Sequence, residues 1–193
     1  MFREEGPPDI SKELAKAKTT TIIEEFDCFT PRRVITIGYS GPNIRKVIRE
    51  IPRMIQRGLR ISGTNVFIDE YYVYAVDPND IVFHIYYHGR KAFDQRSAMW
   101  GWVRIKHGRL FPDGTGSMKI EFYSKLITKW PKKTLIQRIP IYSLLTKIYT
   151  YIFYDARRRT LIDRCKFYEE DVIRRVKELL KLVETTPYPK GEA

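Results

Sequence analysis

Four extended stretches rich in β-branched and aromatic residues fill the middle of this chain and constrain its fold most. Side chains that alternate between apolar and polar are typical of strands with one face buried and the other in water. Residues that favour turns separate the stretches. They span residues 66–76, 81–90, 98–107 and 117–129. The pattern predicts an antiparallel sheet whose neighbouring strands are joined by turns.

Other segments complete this sheet and cover it. Residues 33–39 are predicted to be a strand, and residues 19–26 a strand or an extended lead-in, which makes a sheet of about five to six strands. Residues 42–60 and 140–183 repeat apolar side chains at helical spacing. Pro52 should kink or split the first helix, because it lacks a backbone donor. A polar stretch leaves open whether the second segment is one helix or two.

Together these elements predict an α+β domain, in which an antiparallel sheet packs against a kinked helix and a long C-terminal helical segment. The order of elements resembles that of helix-grip domains of the START and Bet v 1 type. Within the C-terminal segment, residues 142–154 are expected to cover the core as a lid, the alternative being a helix that lies in a membrane interface or docks on a partner. We expect an N-terminal extension that can hold a short helix over residues 1–18, one domain over residues 19–186, and a tail over residues 187–193.

The helix predicted over residues 42–60 is basic on one side. At about 100° per residue, six basic side chains fall within an arc of roughly 120°, opposite the apolar arc. The only acid among them is Glu50, so few partners at helical spacing neutralise the basic side. The six residues are Arg45, Lys46, Arg49, Arg53, Arg57 and Arg60. Guanidinium groups at this spacing can bind successive phosphates, which predicts contact with a polyanion.

A second basic segment, residues 104–133, overlaps the predicted sheet. Alternation places Lys119, Lys125 and Lys129 on one face. Four aromatic residues lie nearby in the sequence: Trp100, Trp102, Tyr123 and Trp130. Exposed rings beside cations can stack on the bases of single-stranded nucleic acid, although such rings more often pack in a core. If both basic segments share a face they form a groove, and if they are opposed each is a solvated surface.

The net charge of +12 favours an anionic partner. Our leading hypothesis is a non-enzymatic binding protein that contacts a polyanion, above all nucleic acid, through the basic helix. An anionic membrane surface is a less favoured partner. A different explanation of the charge is equally open, because few Asn and Gln with many Lys, Arg and Glu are typical of thermophile proteins.

Two further functional classes stay open. In one, an apolar ligand or lipid occupies a helix-grip cavity between the sheet and the C-terminal helix. Simple antiparallel pairing across the loop 77–80 sets the register of its wall. This register places four residues on the core face as the cavity lining: Tyr72, Tyr74, Phe83 and Ile85. In the other class, the protein is a structural or assembly subunit of a larger particle.

Patterns that indicate catalysis or metal binding are scarce. Cys28 and Cys165 form no CxxC motif, and their spacing does not establish whether they are bonded. Asp69 beside His88 could form an oriented base, but an ordinary surface pair is the commoner meaning. We therefore expect no catalytic residues, no metal and no cofactor. With neither a secretory leader nor an apolar run long enough for a membrane span, we expect a cytoplasmic protein.

Overall fold

The computed structural model describes residues 21–29, 33–77, 80–131 and 140–185. Within these ranges the strands are β1 (Thr21–Asp27), β2 (Ile35–Gly41), β3 (Val66–Asp77), β4 (Asp80–Ala92), β5 (Ser97–Leu110) and β6 (Gly116–Pro131). The helices are α1 (Ile44–Leu59), α2 (Pro140–Ile152) and α3 (Asp155–Thr185), with a 3-10 turn at Gly63–Asn65. The expected extension 1–18 and tail 187–193 lie outside the described residues.

One antiparallel sheet contains all six of these strands. Its order is β1, β6, β5, β4, β3, and β2 also pairs with β6. The long strand β6 therefore has two partners on one side: β1 lies along its C-terminal half, from Pro131 to Lys125, and β2 along its N-terminal half. Strand β3 forms the opposite edge. The predicted α+β class, with an antiparallel sheet and a long C-terminal helix, is confirmed.

Helices α1 and α3 cover the same face of the sheet, which we call the core face. The apolar side of α1 packs there, as the periodicity predicted: Ile44, Val47, Ile51, Ile55 and Leu59 are buried, and Ile48 and Met54 are partly buried. The two helices approach closely at Gly58, where a Cβ atom would lie 2.5 Å from Val172 Cγ2 and 2.8 Å from Val172 Cα. Only glycine allows this crossing, because any larger residue would push α1 away from α3.

Helix α1 continues through Pro52, so the expected split does not occur. Proline lacks the N–H group that would donate to the carbonyl of Ile48, one turn earlier. The Tyr87 hydroxyl of β4 donates to that carbonyl instead, at 3.3 Å. Burial raises the pKa of Tyr87 to about 12, which keeps this donor protonated. A contact from the sheet thus replaces the missing helical hydrogen bond.

The C-terminal segment forms two helices, α2 and α3, separated at Phe153 and Tyr154. The lid prediction for residues 142–154 is wrong. The apolar stripe of α2 is between 45% and 65% exposed at Ile141, Leu144, Leu145, Ile148 and Ile152. The physical reason is that α1 and α3 already fill the core face. Within the described ranges, none of the helices combines the length and the apolar character that a bilayer crossing requires.

The register of the β3–β4 hairpin differs by one residue from simple pairing. An irregularity beside Asp77 shifts the two strands, and a shift of one residue exchanges the faces of every side chain. Tyr72 and Tyr74 therefore lie on the face away from the core, whereas Phe83 and Ile85 are buried in it. The predicted cavity lining is wrong, because its four residues do not share a face.

A disulfide joins Cys28, just after β1, to Cys165 of α3, with Cα atoms 5.8 Å apart. Both residues are buried in the core. The bond therefore ties the edge of the sheet to the long helix across a sequence separation of 137 residues.

We expect the variant C28A/C165A to be less stable than the oxidised protein by about 2–5 kcal/mol, because the bond restricts the unfolded chain. Urea unfolding followed by circular dichroism measures this difference. The double variant also serves as the control for direct effects of the reductant. Adding reductant should lower the urea midpoint of the wild type and leave the midpoint of C28A/C165A unchanged. Equal midpoints for the oxidised protein and the variant would contradict the prediction.

The carboxyl group of Glu169 on α3 is buried among apolar residues of the core. It faces Gly101 of β5, where a Cβ atom would lie 3.0 Å from Oε2. Its Oε1 atom has no hydrogen-bond partner among the described residues. Burial raises the pKa of Glu169 from its ordinary 4.5 to about 8. At neutral pH the folded protein therefore holds a proton that the unfolded chain has released.

Stability should consequently fall as pH rises from about 4.5 to about 8 and level off above that range, because the folded state binds one more proton there. Each unit of pKa shift corresponds to roughly 1.4 kcal/mol. Urea unfolding at a series of pH values measures the slope, which Glu169→Gln should reduce. The exposed neighbour variant Glu170→Gln is the control and should keep it. An unchanged slope in Glu169→Gln would show that this carboxyl is not the source.

Candidate functional site

The basic side of α1 is exposed along its whole length, as predicted. Two of its six cations have partners: Arg53 forms an ion pair with Glu50 at 2.7 Å, and the Arg60 guanidinium lies 5.9 Å from the Phe167 ring centroid. The other four residues, Arg45, Lys46, Arg49 and Arg57, have no acidic partner at ion-pair distance in the part of the chain that is described. This leaves a solvated cationic surface on the helix.

The second basic segment lies on the other side of the sheet. The side chains of Lys119, Lys125 and Lys129 alternate with core residues of β6, so they project from the face that α1 and α3 leave uncovered. We call this the open face. The two predicted basic segments are therefore opposed and do not form one groove.

Most lysines of the open face are paired with acids. Lys106 and Lys119 lie 2.8 and 3.4 Å from the carboxylate of Glu121, and Lys125 lies 2.9 Å from Glu25. The hydrogen bond from Lys106 lowers the pKa of Glu121. Hydrogen bonds with Tyr123 and Glu25 raise the pKa of Lys125. These groups therefore stay charged over the physiological pH range, and their charges are largely balanced by one another.

Five aromatic rings form a continuous row across the open face, from β3 at the edge to β6. We call Phe67, His88, Trp100, Trp102 and Tyr123 the aromatic row. Its successive ring centroids are 4.8, 5.3, 6.2 and 5.1 Å apart, and neighbouring ring planes differ by 22–31°. Three of these pairs are stacked, and the His88–Trp100 pair is tilted. Among the described residues no helix covers the row, and its two tryptophans and Tyr123 are half-buried by their neighbours.

The row follows from strand register. Trp102 lies opposite His88 of β4 on one side and opposite Tyr123 of β6 on the other. Phe67 of β3 pairs with His88 and extends the row to the edge. Large side chains on one face can make ring contact both directly across and diagonally, and His88 contacts Trp100 diagonally.

Three of the four aromatic residues noted in the sequence belong to this row. Trp130 does not: it makes edge contacts with Tyr149 and Tyr154, and the Arg96 guanidinium lies 4.7 Å from its centroid. Sequence reasoning missed Phe67 as a member of the row. A second irregularity, between Ile68 and Glu70, sets its pairing. Phe67 can be assigned to the row only when the pairing of β3 with β4 is known.

The contact expected between Asp69 and His88 is present, with Asp69 Oδ1 2.5 Å from His88 Nδ1. Because a carboxylate only accepts hydrogen bonds, Nδ1 carries the proton. The carboxylate thus fixes the tautomer of the imidazole and its orientation between Phe67 and Trp100. In this setting the pair positions a ring within the row.

The similarities of this chain to known proteins are weak. No protein-family model matches the chain, and no curated protein matches it. An uncharacterised protein from Rhizobium leguminosarum is 11% identical, with a TM-score of 0.21, over 81% of this chain and 99% of that one. The human StarD13 lipid transfer and protein localization domain is 10% identical, with a TM-score of 0.19, over 91% and 98% of the two chains. With TM-scores this low, neither likeness carries an argument about function.

Proposed function

We propose that this protein binds single-stranded nucleic acid on the open face of its sheet, with bases stacked on the aromatic row. The continuous row of rings across four strands is the observation that carries this proposal. Bases stack on aromatic side chains without much regard to sequence, because every base has a π-face. A sheet that presents such rings to solvent can hold several unpaired bases in succession.

Cations flank the rings where phosphates of a stacked strand would lie. The Arg90 guanidinium is 5.8 Å from the Trp100 centroid. Lys125 Nζ, which is also paired with Glu25, is 5.6 Å from the Tyr123 centroid. Arg104 lies in the same way over Tyr86, at 5.4 Å. Together with the net charge of +12, these groups favour a polyanionic strand over a neutral ligand.

Helix α1 is not part of this proposed site, because it lies on the core side of the sheet. Contact between a polyanion and its arginines stays a separate prediction. The two hypotheses name different residues, so one experiment can distinguish them.

A cytoplasmic location belongs to the same proposal. Disulfides are rare in the cytosol of mesophiles but common in intracellular proteins of hyperthermophiles. The Cys28–Cys165 bond and the thermophile-like composition support such a cell as the setting.

We expect the variant W102L/Y123L to bind single strands about tenfold to several hundredfold more weakly, because each stacked base contributes about 1–3 kcal/mol. Leucine keeps apolar bulk at these half-buried positions and so limits damage to the fold. Fluorescence anisotropy of labelled oligothymidylate and oligouridylate at several salt concentrations measures the affinity and its salt dependence. Circular dichroism of the variant checks that it is folded.

The comparison variant is R49Q/R53Q/R57Q, which removes three exposed charges from the opposite side of the molecule. It should bind nearly as well as the wild type at moderate salt, where distant charges are screened. If this variant instead loses affinity and salt slope while W102L/Y123L keeps both, binding occurs on α1 and the open-face proposal is wrong.

A second candidate function is that of a subunit in a larger assembly, and the exposed apolar stripe of α2 favours it. A surface of this kind is uncommon on monomeric soluble proteins. The stripe continues into Phe153, which is also exposed. A second copy of the chain could cover the stripe by pairing α2 with α2.

In that case the wild type should show a mass that increases with concentration in analytical ultracentrifugation, and L145E/I148E should remain monomeric, because two buried charges would oppose the contact. Val34→Glu, at an isolated exposed apolar residue, is the control and should associate like the wild type. A monomeric mass for the wild type at every concentration would exclude this function.

A further inference from the structure

We propose that a groove between α1 and the β3–β4 hairpin binds a single-chain amphiphile with a carboxylate headgroup. The α1–hairpin groove has a volume of about 350 Å³, within the range of about 300–1,000 Å³ that is usual for ligand sites. Its apolar lining includes Ile48, Tyr71, Val73, Phe83, Ile85 and Leu110, and Arg45 and Arg49 also line it. It lies on the core side of the sheet, away from the aromatic row.

The corrected register creates this groove. The one-residue shift in β3 turns Tyr71 and Val73 toward the core side, opposite Ile85 and Phe83. Tyr71 is 66% exposed and Val73 44%, because α1 does not extend over them. Phe83 and Ile85 are almost fully buried and form the floor. An apolar wall thus remains open to solvent beside the helix, above a floor that is already buried, and covering that wall with a hydrocarbon chain would be favourable.

Arg45 and Arg49 give the groove its charge. They are one turn apart on α1, so their Cβ atoms are about 5–6 Å apart. Both residues also line an adjoining polar cleft of about 370 Å³, together with Asn43, Lys46 and Glu50. They therefore lie between an apolar groove and a polar cleft. This order, apolar then cationic, matches the order of groups along an anionic amphiphile.

No described acid neutralises this arginine pair. Glu50, the carboxylate of the adjoining cleft, forms its ion pair with Arg53 instead, at 2.7 Å. Arginine binds a carboxylate through two parallel hydrogen bonds, and two arginines could each contact one headgroup. The charge pattern thus favours an anionic headgroup, and the apolar floor favours an alkyl chain over a nucleotide.

Isothermal titration calorimetry with laurate, below its critical micelle concentration, tests the proposal. We expect R45Q/R49Q to bind laurate at least about tenfold more weakly, because two charge-assisted hydrogen-bonding groups are lost. R57Q/R60Q removes the same charge from the C-terminal end of the same helix, outside both the groove and the cleft, and should bind like the wild type. Val73→Asp, at a partly exposed wall position, should also lose binding. Dodecanol and dodecyltrimethylammonium, with the same chain length, should bind more weakly than laurate.

Absence of laurate binding, equal loss in the two double variants, or equal affinity for dodecanol would each overturn the proposal. Co-sedimentation with phosphatidylcholine vesicles containing phosphatidylglycerol distinguishes the source of the ligand. Vesicle binding that requires Arg45 and Arg49 and is displaced by laurate supports the groove as a site for membrane lipid, whereas laurate binding alone supports a free amphiphile. W102L/Y123L should keep laurate binding, so failure here is separable from failure of the nucleic-acid proposal.

Discussion

The close crossing of α1 and α3 over one face of the sheet is the contact on which the rest of this structure depends. It requires glycine at position 58, since a side chain there would meet the backbone of Val172. The two helices fill the centre of the core face and leave no room for a third. Helix α2 is therefore displaced to the surface, the inner face of the β3–β4 hairpin extends past α1, and the opposite face of the sheet stays open.

The solvent-facing side chains of the open face are a mixture of charged groups and aromatic rings. Its lysines pair with Glu25 and Glu121, so much of the positive charge on β6 is used within the sheet. The aromatic row lies among these ion pairs, with Phe67 exposed, Trp100, Trp102 and Tyr123 partly exposed, and His88 buried between its neighbours. On the core side, Arg45, Lys46, Arg49 and Arg57 of α1 have no acidic partner at ion-pair distance among the described residues. The sheet itself separates the two basic surfaces, which is why we propose a different ligand for each.

The sequence predicted all six strands and α1 to within a few residues, because periods of 2 and 3.6 are local signals. Prediction from the sequence failed where the structure depends on contacts between residues far apart in the chain. A β-bulge near Asp77 has no local signature, yet it exchanged the faces of Tyr72 and Tyr74. Helical periodicity in α2 showed an apolar stripe but not whether anything covers it. Pro52 does not split α1 because of Tyr87, 39 residues away from the carbonyl it satisfies. The basic helix could be predicted from the sequence. The aromatic row and the groove could not, because both depend on the pairing register of β3 with β4.

Strand β4 connects the two proposed sites and also keeps them independent. Its consecutive residues Tyr87 and His88 point to opposite faces, because side chains alternate along a strand. Tyr87 holds α1 by its bond to Ile48, a residue of the groove. His88, oriented by Asp69, lies in the aromatic row between Phe67 and Trp100. Each proposed site thus has its own side chains on a shared backbone. A substitution on one face can therefore weaken the binding of one ligand, while binding of the other ligand serves as an internal control for folding.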